Sequence, residues 1–130
     1  MIQLSYTIFY VINVEKTIAF YEKAFGFSKK FITPDHTYGE LLTGDTTLAF
    51  ASSAFVKTNL KKGFIENSNE NKPFAQEIGL TTDDVQVAVT AAVNAGATIY
   101  EPATTKPWGQ VVAYVRDLDG FLIEICTPMN

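Results

Sequence analysis

Glu124 stands between Ile123 and Ile125 in the run Leu122-Ile123-Glu124-Ile125-Cys126. A carboxylate in so apolar a segment needs a partner or a raised pKa. It reads either as a general base or ligand-anchoring acceptor, or as a carboxylate hydrogen-bonded to a tyrosine or to Arg116. Glu77 lies in a second apolar run. Strand alternation puts it on one face with Gly79 and Thr81, opposite Ile78 and Leu80. The same alternation separates Leu122, Glu124 and Cys126 from Ile123 and Ile125. Apolar faces pack on helices, so both carboxylates turn to the face away from them. If they face each other there, like-charge repulsion raises one pKa and makes an acid/base pair, Glu124 as base and Glu77 as its partner. Trp108-Gly109-Gln110 offers an indole for stacking and a glycine that lets backbone come close, or else a rim aromatic. Tyr6, Ile8 and Tyr10 alternate along one strand and share a face, as a ligand-contacting surface or as core filling; Tyr38 and Glu40 join them. Cys126 has no histidine in its strand and no evident cationic neighbour, which argues against a catalytic thiolate. Asp117-Leu118-Asp119-Gly120 lacks the further ligands and closing Glu of a calcium loop, and reads as a turn. Lys57, Lys61 and Lys62 read as a solvated face, with an anion site as the alternative.

The elements that must position these groups follow from local pattern. Residues 4–11 are aromatic and β-branched and read as a strand. Asn13 caps a helix with Val14, Ile18, Tyr21 and Phe25 on one face, closed by Gly26. Strands are expected over 27–32, 38–42 and 46–51. Residues 52–73 are polar and read as a long crossover, anchored by Phe55, Phe64 and Ile65. The order then recurs: a strand at 76–81, and a helix capped by Asp83 or Asp84 with Val85, Val89 and Val93 on one face, ended by Gly96. Strands at 97–100, 110–115 and 122–126 follow, with a proline-containing loop over 102–108. With Asn13 and Asp83 as caps, the cap precedes the glycine by the same interval in both halves, which suggests a duplicated unit.

Composition narrows the function classes. A chain of 130 residues, 47% hydrophobic and 18% charged, is sized for one domain with a real core and is not disordered. A net charge of −4 argues against a nucleic-acid partner. The single cysteine forms no intramolecular disulfide, and no Lys or Arg precedes Lys16 as a signal peptide would require. No apolar run approaches the roughly 18 residues of a membrane span. A cytoplasmic protein with no membrane partner is expected.

Residues 14–27 (VEKTIAFYEKAFGF), 46–51 (TTLAFA), 82–85 (TDDV), 106–110 (KPWGQ) and 114–124 (YVRDLDGFLIE) resemble the vicinal oxygen chelate superfamily of glyoxalase I, bleomycin-resistance proteins and extradiol dioxygenases. The resemblance implies an α+β fold: a single domain of two βαβββ modules, 1–51 and 74–130, joined by the crossover 52–73. The modules form a curved eight-stranded mixed sheet around a ligand cleft, often completed by a second subunit. In metal-dependent members four side chains, usually His or Glu, point into the cleft. Those positions fall on Tyr6, Ala49, Glu77 and Glu124. An enzyme's transition ion wants at least three donors. Ala49 offers none, and Tyr6 would have to ionise against a pKa of about 10. No cofactor is therefore expected. A divalent metal, were one bound, would rest on Tyr6, Glu77 and Glu124, a set suited to weak Mg²⁺ or Mn²⁺ binding. The resemblance then points to a small-molecule-binding protein of the bleomycin-resistance type. Its aromatic, acidic cleft is lined by Tyr6, Ile8, Tyr10, Tyr38, Glu40, Ala49, Trp108 and Gln110, and a homodimer is the expected assembly. The alternatives are a glyoxalase-like metal-assisted lyase, isomerase or dioxygenase, and a metal-free enzyme with Glu124 or Glu77 as general base.

Overall fold

The computed structural model describes residues 1–129. Element order is β1 (Tyr6–Val11), α1 (Val14–Phe25), β2 (Ser28–Ile32), β3 (Tyr38–Leu42), β4 (Thr47–Ser52), α2 (Ser53–Asn59), β5 (Ile78–Thr81), α3 (Val85–Ala95), β6 (Thr98–Thr105), β7 (Val111–Arg116) and β8 (Leu122–Cys126). The eight strands form two four-stranded mixed sheets, ordered β1-β4-β3-β2 and β5-β8-β7-β6. In each, the first strand runs parallel to the last and the remaining pairs are antiparallel. The α+β fold with repeated βαβββ order is thus the one the sequence implies. The chain divides into two compact units, residues 1–22 with 26–66, and residues 23–25 with 67 onward.

In the first unit Asn13 Oδ1 accepts the Lys16 N–H at 2.9 Å and starts α1. Gly26 ends it at φ +74°, a left-handed conformation that glycine adopts without strain. Val14, Ile18 and Tyr21 are buried, as are Phe9, Val11, Leu41, Leu48 and Phe50 from the sheet. The Tyr21 and Phe50 rings pack tilted at 34° with centroids 5.0 Å apart. A Cβ on Gly39 would stand 2.6 Å from Ile18 Cδ1, so the missing side chain is what lets helix and sheet approach. In the second unit α3 packs on β6, β7 and β8, burying Val85, Val89 and Ala92 together with Ala113, Val115, Ile123 and Ile125.

Four sequence expectations are corrected. The crossover holds a helix: Ser52 caps α2 by accepting from the Phe55 N–H, and Val56 is its buried apolar residue, beside a buried Ser53, while Phe55 and Ile65 are exposed. Strand β6 continues through Pro102 to Thr105. Its register skips Pro102, so the missing N–H interrupts no paired position on this terminal strand. Of the two caps left open for α3, Asp84 is the one used, accepting from the Val87 N–H at 3.1 Å, so the equal cap-to-glycine interval in the two halves, which takes Asp83, does not hold. The buried stripe of α3 runs to Ala92 rather than Val93, because the seventh residue returns to the starting face whereas the eighth overshoots it.

Candidate functional site

Register fixes which side chains share a face. In the second unit, Gly79, Glu124 and Tyr114 form one row across β5, β8 and β7, and Thr81, Cys126 and Val112 form the next. Ile123 and Ile125 occupy the opposite, buried face. Glu77 lies one residue before β5 and is hydrogen-bonded to Glu124. That bond, then burial, then the charge of Glu124 push the Glu77 carboxyl up from 4.5 to about 7. Glu124 is held low, chiefly by the bond from Glu77, then by bonds from the Cys126 thiol and the Tyr114 hydroxyl, and by the charge of Lys106; burial opposes these. The Tyr114 Oη–Glu124 Oε2 distance is 3.1 Å. Of the two acids, Glu77 is thus the one that keeps its proton as pH rises toward about 7, while Glu124 ionises first. Tyr114 is itself pushed up to about 12 by burial and by the bond and charge of Glu124. Cys126 rises to about 11 for the same reasons and stays a thiol near neutral pH.

Gln110 joins this carboxylate pair to the β6–β7 turn. Its Oε1 accepts from Trp108 Nε1 at 2.9 Å, its Nε2 donates to the Thr127 carbonyl at 2.8 Å, and its side chain also bonds the Cys126 thiol. Trp108 is exposed, its N–H is held by Gln110, and it lines a cleft of about 840 Å³. Asp83, Gly109, Gln110, Thr127, Pro128 and Met129 complete the lining. Glu77 and Glu124 do not line this cleft, and Gln110 is the link between them and it.

The first unit carries a separate acid group. Ile8, Ala49, Glu40 and Phe31 form one row across its sheet, and Tyr10, Ala51 and Tyr38 the next. Glu40 is buried at 6% exposure. Tyr38 Oη donates to its Oε2 at 2.7 Å, and Lys30 Nζ lies 3.8 Å from Oε1. Burial first, then that bond and the charge of Glu40, raise the Tyr38 hydroxyl well above its usual range. The Phe31 and Tyr38 rings stand 6.0 Å apart. Tyr10 packs edge-on against Phe64 at 4.9 Å, and Lys57 sits over the Phe64 ring and pairs with Glu66. Tyr6 and Ile8 remain exposed, and Ala49 is fully buried.

The residues singled out in the sequence thus fall into groups within each unit: Glu77 with Glu124, Trp108 with Gln110, and Glu40 with Tyr38, beside Ile8 and Ala49. Of the two partners weighed for Glu124, the structure selects a tyrosine. Arg116 is engaged elsewhere, donating to the carbonyls of Gly120, Asn71 and Ser68 at 2.6–2.9 Å. The turn at 117–120 closes on itself, with Asp117 Oδ1 accepting from the N–H groups of Asp119 and Phe121. Lys30, Tyr114 and Lys106 are further site residues that sequence reasoning missed. Tyr114 follows the same alternation as Val112, but only the β7–β8 register sets it against Glu124. Lys30 enters through a bulge that leaves no mark in the pattern.

The chemistry of the donor set decides whether a resident ion could be held. Ala49 has no donor, and the Glu77 carboxyl, pushed up to about 7 by its bond to Glu124, is a poor anionic ligand below that pH. Among the described residues no group of three or more His, Cys, Asp or Glu gathers, and His36 lies in an exposed turn 2.9 Å from Glu15. These residues do not fit a transition ion.

Comparison with known proteins gives a family model described as Glyoxalase/Bleomycin resistance protein/Dioxygenase superfamily, matching residues 3–125. A glyoxalase-related enzyme from Fulvimarina pelagi superposes with a TM-score of 0.81 at 19% identity, covering 98% of this chain and 89% of its own. A glyoxalase/bleomycin resistance protein/dioxygenase family enzyme from Burkholderia phytofirmans PsJN gives 0.79 at 23% identity, covering 98% and 100%. TioX from Micromonospora sp. ML1 gives 0.72 at 20%, covering 98% and 99%. At such identities these structures speak to the fold alone. No curated protein sequence matches the chain.

Proposed function

The chain belongs to the Glyoxalase/Bleomycin resistance protein/Dioxygenase superfamily, and on that premise we propose that it is a small-molecule-binding protein of the bleomycin-resistance type, holding a compact ligand with ring faces and acid groups rather than through a transition ion. One observation carries this proposal. Glu77 and Glu124, two of the four positions that the family resemblance assigns to metal, are hydrogen-bonded to each other, through the proton that the raised Glu77 carboxyl carries below about pH 7. They are further supplied with donors from Tyr114 and Cys126. A metal would have to displace that proton and find its remaining donors elsewhere. Exposed Trp108, held by Gln110 and lining the cleft, supplies a stacking surface. Metal analysis of protein purified without chelator is the test. Substoichiometric metal together with ligand-dependent quenching of Trp108, the only tryptophan, is the expected result. Stoichiometric Zn²⁺, Ni²⁺, Mn²⁺ or Fe overturns it in favour of the metal-assisted enzyme.

A second function is favoured by one specific feature. A protonated Glu77 beside an ionised Glu124 sets an acid and a base side by side, as metal-free proton transfer requires. The discriminating measurement is turnover: a Glu124→Gln variant that keeps ligand affinity but loses solvent-hydrogen exchange into bound ligand identifies an enzyme. For assembly we propose a homodimer, supported by the terminal strands β1 and β5, whose outer edges offer backbone groups to a symmetric copy. Sedimentation giving only monomer at micromolar concentration removes it. The proposed compartment is the cytoplasm, supported by the single buried thiol.

A further inference from the structure

We infer that Glu40 anchors the primary ammonium group of an organic ligand, and that the Lys30 side chain stands in for that ammonium when the site is empty of ligand. This rests on the small-molecule function proposed above and names a ligand class for the first unit's sheet face. The Glu40 side chain is only 8% exposed. A carboxylate offers about four acceptor sites. Here Oε2 receives one short bond, from Tyr38, whereas Oε1 has only Lys30 Nζ at 3.8 Å, beyond hydrogen-bond reach. The Oε1 edge, which is not sealed from solvent, therefore keeps acceptor capacity for a donor that comes closer than Lys30.

Lys30 reaches this place by a bulge. The register pairs Lys29 with Leu41 and then Phe31 with Glu40, so Lys30 is the extra residue set against the acid. It belongs to the terminal strand β2, and its side chain is 53% exposed. Its ammonium therefore has a route back into water when a better donor arrives, at the small cost of a half-exposed ion pair. The chemistry selects among cations. A quaternary ammonium has no N–H for Oε1. A guanidinium binds best to both carboxylate oxygens at once, and Tyr38 already holds one. A primary ammonium needs a single oxygen and brings three donors. The rings of Phe31 and Tyr38 suit a cation, and Ile8, in the same row and 42% exposed, offers apolar surface to the ligand's carbon body.

The experiment titrates 2-phenylethylammonium chloride into the full chain at pH 7, following the backbone amide shifts of Phe31 and Glu40. Its neutral isostere 2-phenylethanol and its N,N,N-trimethyl derivative serve as controls. Saturable shifts are expected with the primary ammonium, none with the alcohol, and binding at least about tenfold weaker with the quaternary ion, the factor expected for a lost charge-assisted bond. Lys30→Met removes the internal competitor and tightens the primary ammonium by about threefold. Glu40→Gln weakens it by about thirtyfold or more. Equal affinity for amine and alcohol, no saturable shift with the amine, or unchanged or weaker binding in Lys30→Met overturns the inference. Should Glu40→Gln fail to fold, Lys30→Met and the three-ligand series decide alone. Metal analysis and Trp108 quenching do not involve Glu40. A failed amine titration on metal-free, quenchable protein therefore refutes the ammonium site only, and a stoichiometric metal refutes the proposed function itself.

Discussion

Replacing Glu77 by Gln removes the titrating proton of the second unit's acid pair, while keeping an N–H that can donate to Glu124. In the wild type the Glu77 carboxyl is raised from 4.5 to about 7, first by its bond to Glu124, then by burial and by the charge of that neighbour. A carboxyl raised on folding binds more protons in the native than in the unfolded state. Its contribution is complete below about pH 4.5 and is lost as pH rises through about 7. Glu124 is shifted the other way, so its contribution is present above 4.5 and fades only as pH falls below that value. Between pH 5 and 8 the slope therefore belongs to Glu77. The rise would be worth about 3 kcal/mol for a fully shielded group. Glu77 is exposed, however, and solvent screening reduces this to about 1 kcal/mol. Urea unfolding at pH 5, 6, 7 and 8 should show the wild type losing about that much stability, roughly half a molar in midpoint, and Glu77→Gln losing almost none. Parallel pH profiles for the two proteins would refute the raised Glu77 carboxyl, and with it the electrostatic case against a metal at these residues.

Three other outcomes can be checked with simple variants or reagents. Gly39→Ala forces a methyl to within 2.6 Å of Ile18 Cδ1 and should cost about 1–3 kcal/mol in urea unfolding, whereas Gly79→Ala, with nothing within 4 Å, should be close to neutral. Arg116→Met leaves the carbonyls of Gly120, Asn71 and Ser68 without their buried donor and should destabilise by about 3 kcal/mol, with faster amide exchange over 68–71 as the local signature. Cys126, its thiol pushed up to about 11, should react with iodoacetamide at pH 7.5 at least about a hundredfold more slowly than in urea-unfolded protein; comparable rates by mass spectrometry would contradict its protonated state.

Much of the fold was legible because it is written in short-range pattern. The caps at Asn13 and Gly26 and the alternation in 122–126 need only neighbouring residues to act, and the structure repeats them. The alternation of Tyr6, Ile8 and Tyr10 against Phe9 and Val11 likewise appears as more exposed against fully buried positions. Helix α2 was missed because its polar sequence buries little beyond Val56 and Ser53, leaving almost no amphipathic signal. Strand β6 was cut short at Pro102 because proline interrupts most strands, whereas a terminal strand with register shifts can pass over it.

The candidate site divides along the same line. Residue types and alternation alone put Glu77 and Glu124 on polar faces and left Ala49 without a donor. Sequence determined the inventory of acids and rings, because a side chain's direction along a strand depends only on its parity. Tertiary structure decided which of them meet. The β7–β8 register gives Glu124 to Tyr114 and sends Arg116 to the backbone of 68–71, and a single bulge in β2 sets Lys30 over Glu40. Those pairings come from strand register, and register is set by contacts between residues distant in the chain, where local propensity has no say.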